Sequence, residues 1–309
     1  MLYFAQNQFL GNQLWPLATI ISFAMRHGLT VASPYFTRHS ENFPYFADDR
    51  YCRYPRGTPM PASSISVTTD SRFLLRVGKA LGLVETIICP LDSKVDLNEV
   101  ATEQKIVCAA QRRIVYMHGL YFLAHDSLRA SRDEIRTIFR IQENLWTGVR
   151  ETIATCRSRG DIVVGLHVRW GDYVGAKDDM VFSLDDYRLL AKQAQDLFYP
   201  KKVVFLICST EPIPATKFHP YDVVSAPGHY VQDMYCLANV DVIVGPPSTY
   251  SQWASFYGNV PVFNINKINE MQYGLPVSVP ANDNFNVNES GCGRHSVKRS
   301  VNLKELGLT

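Results

Sequence analysis

Asp161-Ile-Val-Val-Gly-Leu-His167-Val-Arg169-Trp170-Gly171-Asp172-Tyr173 is the stretch on which the fold turns. Its apolar run from Ile162 to Val168 has the length and β-branched content of a buried strand, and it ends abruptly in charged residues and a glycine. Open parallel sheets bind ligands in the crevice outside the carboxyl ends of their strands, so this reading sends His167, Arg169 and Asp172 into a cleft. Arg169 offers a planar fork of donors that matches two phosphate oxygens. Gly171 removes the side chain that would hold a ligand away from the backbone. The same residues would also serve a plain strand-to-turn transition in which Arg169 and Asp172 pair on the surface.

Downstream the chain alternates regularly. Ser183-Leu-Asp-Asp186 has the pattern of a helix cap, with the helix expected to reach Phe198, and Val203 to Cys208 reads as the next strand. Tyr221 to Ser225 is a short strand, His229 to Asn239 a helix and Asp241 to Gly245 a strand. Pro246-Pro247-Ser248-Thr249 opens a further helix that Gly258 is expected to stop, and Val260 to Phe263 is the next strand. Such alternation means a parallel sheet with crossover helices. Ser248, Thr249 and Ser251 then stand at a helix N-terminus, where free N–H groups and the positive end of the dipole favour an anion by about 0.3 to 2 kcal/mol. Arg169 across the cleft would complete a pyrophosphate site. Simple N-capping is the commoner use of Ser248 and Thr249, and it is compatible with that role.

In the first half, residues 2 to 5 read as a strand, Gln6 to Gly11 as a loop, and Leu14 to Ala24 as a helix with Pro16 in its first turn. Val31 to Ala32 is a second strand. Residues 33 to 66 are rich in Pro, Tyr, Phe and Arg without periodicity, which suits contact with sugar rings and suits domain packing equally well. Arg112 to His118 is a strand, and Ser131-Arg-Asp-Glu134 has the capping-box pattern, opening one long helix to about Arg157. Two domains follow, 1–158 and 159–309; the polar tail from Ala281 to Arg299 reads as loop.

The bulk numbers narrow the class. A chain of 309 residues buries about three quarters of its unfolded surface. A net charge of +2, with basic residues scattered, implies no polyanion partner such as nucleic acid but leaves room for a single nucleotide. The seven cysteines lack a C-x-x-C and any neighbouring Cys/His pair at zinc spacing, so they read as free thiols in a reducing compartment, with no metal site expected. No signal peptide and no run of 18 apolar residues is visible, and a cytoplasmic location is expected.

At this point a resemblance carries further. His167-Val-Arg169-Trp-Gly-Asp172-Tyr173 resembles the H-x-R-x-G-D-Y motif of the α-1,2-fucosyltransferases of glycosyltransferase family 11, kin to the protein O-fucosyltransferases and α-1,6-fucosyltransferases. Gly11-Asn12-Gln13-Leu14 matches their G-N-Q-[ML] opening. Gln232-Asp233-Met234-Tyr235, with Asp241 to Trp253 after it, is similar to their D-M-Y helix and serine-rich block. The resemblance implies a GT-B fold, in which two Rossmann-like domains with parallel sheets face each other across a cleft. It also implies inverting transfer of fucose from GDP-fucose to a sugar hydroxyl, without a metal or other cofactor; the partners are then a nucleotide sugar and a glycan acceptor. In those terms Arg169 binds the donor pyrophosphate, Asn12 approaches the phosphates or the acceptor, and Ser248, Thr249 and Ser251 meet the phosphates. Asp172 is the first candidate for the base and His167 the second, either of which would equally orient Arg169. Trp170 stands where some versions carry a second arginine, Ser209-Thr210-Glu211 where a Ser-Asp-Asp-like run is usual, and Pro246-Pro247 in place of Asn-Ser. These departures keep open another nucleotide sugar, or a non-catalytic protein that binds carbohydrate or nucleotide. A dehydrogenase is disfavoured because no G-x-G-x-x-G follows a first strand.

Overall fold

The apolar opening of the chain forms strand β1 (Leu2–Phe4), buried at every residue, in a computed structural model that describes residues 1–46, 52–59, 72–90, 93–170 and 181–265. The chain divides into two compact units, Met1–Gln142 and Glu143–Thr309. The helix Glu143–Arg159, at whose far end the sequence placed the boundary, therefore counts with the second unit.

In the first unit β1 is followed by β2 (Val31–Ala32), β3 (Arg53–Tyr54), β4 (Val84–Cys89), β5 (Val95–Asp96), β6 (Ile114–Gly119) and β7 (Phe122–Leu123). Among the described residues one sheet has the order β3-β2-β1-β6-β4, parallel except where β3 joins β2 antiparallel, and β5 pairs with β7 beside it. The helix Leu10–Arg26 is buried on almost every side, as an all-round apolar sequence requires. It begins earlier than expected. Gly11 lies inside it rather than in a loop, and Pro16 is its seventh residue, beyond the first turn where proline is free of cost. Burial of Leu10, Leu14 and Leu17 supplies the driving force that carries the helix through.

The expected single helix from Ser131 to Arg157 is two helices, Arg132–Ile138 and Glu143–Arg159. Ser131 does not form the capping box; its hydroxyl donates to the Ser127 carbonyl at 2.8 Å, because Ser131 continues directly from the preceding helix His125–Ala130. The break comes where Phe139 enters an aromatic cluster with Phe36, Phe43 and Phe46, and where the Gln142 amide donates to the Asn42 carbonyl. Those three phenylalanines of the aromatic-rich region are fully buried and serve packing. That region also holds a 3-10 helix, Pro34–Asn42, and β3.

In the second unit β8 (Ile162–Val168), β9 (Val203–Ser209), β10 (Val223–Ser225), β11 (Val242–Gly245) and β12 (Val262–Asn264) form a sheet of order β10-β9-β8-β11-β12, parallel throughout. Ile162, Val164, Leu166 and Val168 face the helix Leu184–Phe198 in one core. The opposite face meets the helix Tyr230–Leu237, whose Leu237 lies so close that a Cβ on Gly165 would sit 2.6 Å from it. Helices on both faces of a parallel sheet make it doubly wound. The cap at Ser183 forms as expected, Ser183 and Asp186 bonding reciprocally. The helix Thr249–Gly258 ends at Gly258 as expected, but the residue that turns the chain out of it is Asn259, at φ 60° and ψ 39°. Gly258 is instead required for packing, since a Cβ there would lie 2.6 Å from the Ala238 carbonyl carbon. The described cysteines Cys52, Cys89, Cys108, Cys156, Cys208 and Cys236 are all free thiols, and no described helix is long and apolar enough to cross a membrane.

Candidate functional site

The chain leaves β8 towards β9 and β10, then returns to lay β11 and β12 on the other side. The strand order therefore reverses between β8 and β11, and the crevice outside their carboxyl ends is where such a sheet takes a ligand. Arg169 follows β8 at that edge. Gly245 ends β11 beside it, and the two strand ends approach as nearly as a glycine allows: an added Cβ would stand 2.7 Å from the His167 carbonyl oxygen and 2.9 Å from its Cβ. After Pro246-Pro247 the chain enters the helix Thr249–Gly258, with Ser248 as N-cap.

Ser248 joins the two sides. Its hydroxyl accepts from the Tyr250 amide at 3.2 Å, and the Arg169 guanidinium donates to the same oxygen at 3.4 Å. One serine thus caps the helix and holds the arginine at its positive end. A guanidinium beside the first amides of a ten-residue helix is a setting in which an anion with several oxygens replaces water favourably. Thr249 is the first residue of that helix and is half-buried.

His167 is only 5% exposed. Strand alternation turns it to the face away from the Leu184–Phe198 helix, where its Nδ1 shares a 2.6 Å hydrogen bond with the Ser251 hydroxyl and its ring stacks on Tyr250 at 5.1 Å. Burial, helped by the Arg169 charge, lowers its pKa to about 3. The imidazole is neutral in ordinary buffers and a feeble base, placed to order the strand end and the helix rather than to move a proton. Ser251, 1% exposed, spends its hydroxyl on His167. Asp172 lies outside the described residues. Asn12, half-buried, stands in the first turn of Leu10–Arg26 in the first unit.

Three further residues bear on this edge; they lie within the D-M-Y-like and serine-rich stretches, but sequence reasoning singled out none of them as a site residue. Gly245 permits the close approach just described. Tyr250 forms the stacking partner of His167 and donates its hydroxyl to the Tyr230 carbonyl at 2.6 Å, tying the two helix starts together. Asp233 is 5% exposed and accepts from the Gly228 amide at 2.9 Å, and burial raises its pKa to about 6. At the other end of β8, Asp241 accepts from the Val163 amide at 2.7 Å and pairs with Arg157 through both oxygens, which is a structural clamp. Among the described residues no three His, Cys, Asp or Glu side chains come together as a metal site.

No known family model matches the sequence, and no curated protein matches it. Solved structures do resemble it. An Arabidopsis thaliana FUT1 mutant in complex with GDP superposes with a TM-score of 0.56 at 14% identity, covering 86% of this chain and 70% of that one. NodZ alpha-1,6-fucosyltransferase soaked with GDP-fucose gives 0.50 at 19% identity, over 86% and 94% of the two chains. POFUT1 in complex with GDP-fucose gives 0.51 at 9% identity, over 84% and 95%. At these identities the likeness is one of fold, and the fold is that of the GT-B fucosyltransferases: α/β units built on parallel sheets.

Proposed function

We propose that this chain is a glycosyltransferase that takes fucose from GDP-fucose and passes it, with inversion and without a metal, to a sugar hydroxyl of a glycan, in the manner of the α-1,2-fucosyltransferases it resembles in sequence. The observation that carries the reading is the meeting of Arg169 with the Ser248-capped helix end at the switch point of the second sheet. The fold it shares with proteins solved with GDP and GDP-fucose supports the choice of donor.

In this reading Arg169, Ser248, Thr249 and the first amides of the helix hold the pyrophosphate. As the glycosidic bond breaks, negative charge grows on the departing GDP, and donors already aimed at it stabilise the transition state more than the ground state. His167 and Ser251 order that edge from within. Asp172 is the candidate to accept the proton of the acceptor hydroxyl, and Asn12 contributes from the first unit, toward the phosphates or the acceptor. The second unit, in which the Arg169 and Ser248 pair lies, is assigned the nucleotide sugar and the first unit the acceptor.

The test is calorimetric titration of GDP-fucose, GDP-mannose, GDP and UDP into the wild type and Arg169→Ala. Guanine nucleotides alone should bind, and the substitution should weaken them by about ten- to a hundredfold, the worth of a charge-assisted hydrogen-bonding pair. Equal binding by the variant would remove the pyrophosphate assignment; tight UDP binding would move the reading to another nucleotide sugar.

A further inference from the structure

Tyr187 lies in the helix Leu184–Phe198 and is fully buried. Its hydroxyl, however, reaches the end of β8. It donates to the His167 carbonyl at 3.1 Å and accepts from the Arg169 amide at 3.3 Å, so one oxygen satisfies the two backbone groups on either side of Val168.

Strand geometry says what those groups would otherwise do. Alternate residues of a strand address the same neighbour. The Val163 carbonyl accepts from the Asp241 amide at 2.9 Å, so Val163, Gly165 and His167 present their backbone groups to the β11 side, and the Arg169 amide faces the same way. The register pairs Val244 with Leu166, which sets Gly245 beside His167, and there β11 ends and turns into Pro246-Pro247. The Tyr187 hydroxyl sits where a further rung of the ladder would fall. A second bond ties the same segment to the start of the same helix: Trp170 Nε1 donates to the Phe182 carbonyl at 2.7 Å. The Ser183 capping box fixes that start in turn.

We propose that Tyr187 is a positioning residue for Arg169: its hydroxyl fixes the backbone from which the guanidinium reaches the Ser248-capped helix end, and so sets the geometry of the anion site without touching the ligand. The inference rests on the donor-site reading above. A half-buried backbone amide and a buried carbonyl left without partners would find new ones by shifting, and the strand end that carries Arg169 would shift with them.

Tyr187→Phe removes one oxygen and keeps the ring. Amide hydrogen exchange, read without nucleotide, should then quicken at Arg169 by about tenfold or more while Val163 to Leu166 stay protected, because the opening is local. GDP affinity should fall about tenfold in the wild type and less than twofold in an Arg169→Lys background, the non-additivity expected of a residue acting through its neighbour. Unchanged exchange at Arg169 overturns the proposal, and so does an equal loss of GDP affinity in both backgrounds, which marks general loosening. A wild type that binds no guanine nucleotide sinks the donor reading instead, and the exchange experiment tells the two failures apart. Should Tyr187→Phe not fold, para-aminophenylalanine at the same position keeps a donor and an acceptor. That variant should show wild-type protection at Arg169, and a folded protein without it overturns the role.

Discussion

Two buried ionisable groups in the second unit pull its acid stability in opposite directions, and removing either one should expose the other. His167 titrates near 3 in the folded protein against an ordinary 6.5, so the folded state binds fewer protons; the stability it contributes is complete above pH 6.5 and is lost as pH falls towards 3. Asp233 titrates near 6 against an ordinary 3.8, so the folded state keeps a proton the unfolded chain has released; its contribution is complete below pH 3.8 and is lost as pH rises through 6. Between pH 8 and pH 5 these values imply a loss of about 2 kcal/mol from His167 and a gain of about 1.4 kcal/mol from Asp233, a net loss of about 0.7 kcal/mol for the pair. Relative to the wild type, His167→Asn should therefore gain about 2 kcal/mol on acidification and Asp233→Asn should lose about 1.4 kcal/mol, a divergence of about 3.4 kcal/mol. Asn at 233 can still accept from the Gly228 amide, and any packing loss at 167 is independent of pH, so the slopes report protons. Urea unfolding at the two pH values, followed by tryptophan fluorescence, reads them; Trp146, Trp170 and Trp253 all lie in the second unit. Other titrating groups cancel in the difference between variants. If both variants keep the wild-type slope, neither group is buried in the state described and the ordering role given to the neutral His167 falls.

Three further outcomes follow from the packing. Gly245→Ala should destabilise by about 1 to 3 kcal/mol in a thermal or urea melt, since its Cβ meets the His167 backbone, and should weaken GDP binding in the fraction that remains folded; wild-type behaviour would mean the two strand ends are not closely apposed. Asn259→Ala should cost about 1 kcal/mol because its left-handed backbone disfavours Ala, whereas Asn259→Gly should be neutral or better, and equal effects would contradict the conformation. Ser183→Ala should cost about 1 kcal/mol through loss of the capping box, while Ser131→Ala, at a site of the same pattern without the box, should leave the helix cap unaffected; a larger cost at Ser131 reverses the assignment.

Local patterns that coincide with local chemistry were legible. The run Ile162 to Val168 is β8, the Ser183 pattern is a real capping box, and Ser248 is a real N-cap, because each depends on residues a few positions apart. Arg169 and Ser248 were expected to share one edge, and their side chains meet there. Ser131 was not legible: the same four-residue pattern fails because the preceding helix claims its hydroxyl. Nor was the break at Phe139, whose cause is an aromatic cluster drawn from residues about a hundred positions earlier.

What the sequence by itself determined is therefore the alternation of strand and helix, the parallel sheet of the second unit and the identity of the charged residues after β8. Periodicity and capping are properties of neighbouring residues, and they survive without a tertiary context. Only the tertiary structure decided that Gly245 must be a glycine, that Asn259 rather than Gly258 turns the chain, that His167 is neutral, and that a tyrosine on a helix completes the rung beside Arg169. Each of those depends on a distance between segments far apart in the chain, and on the water that burial removes between them.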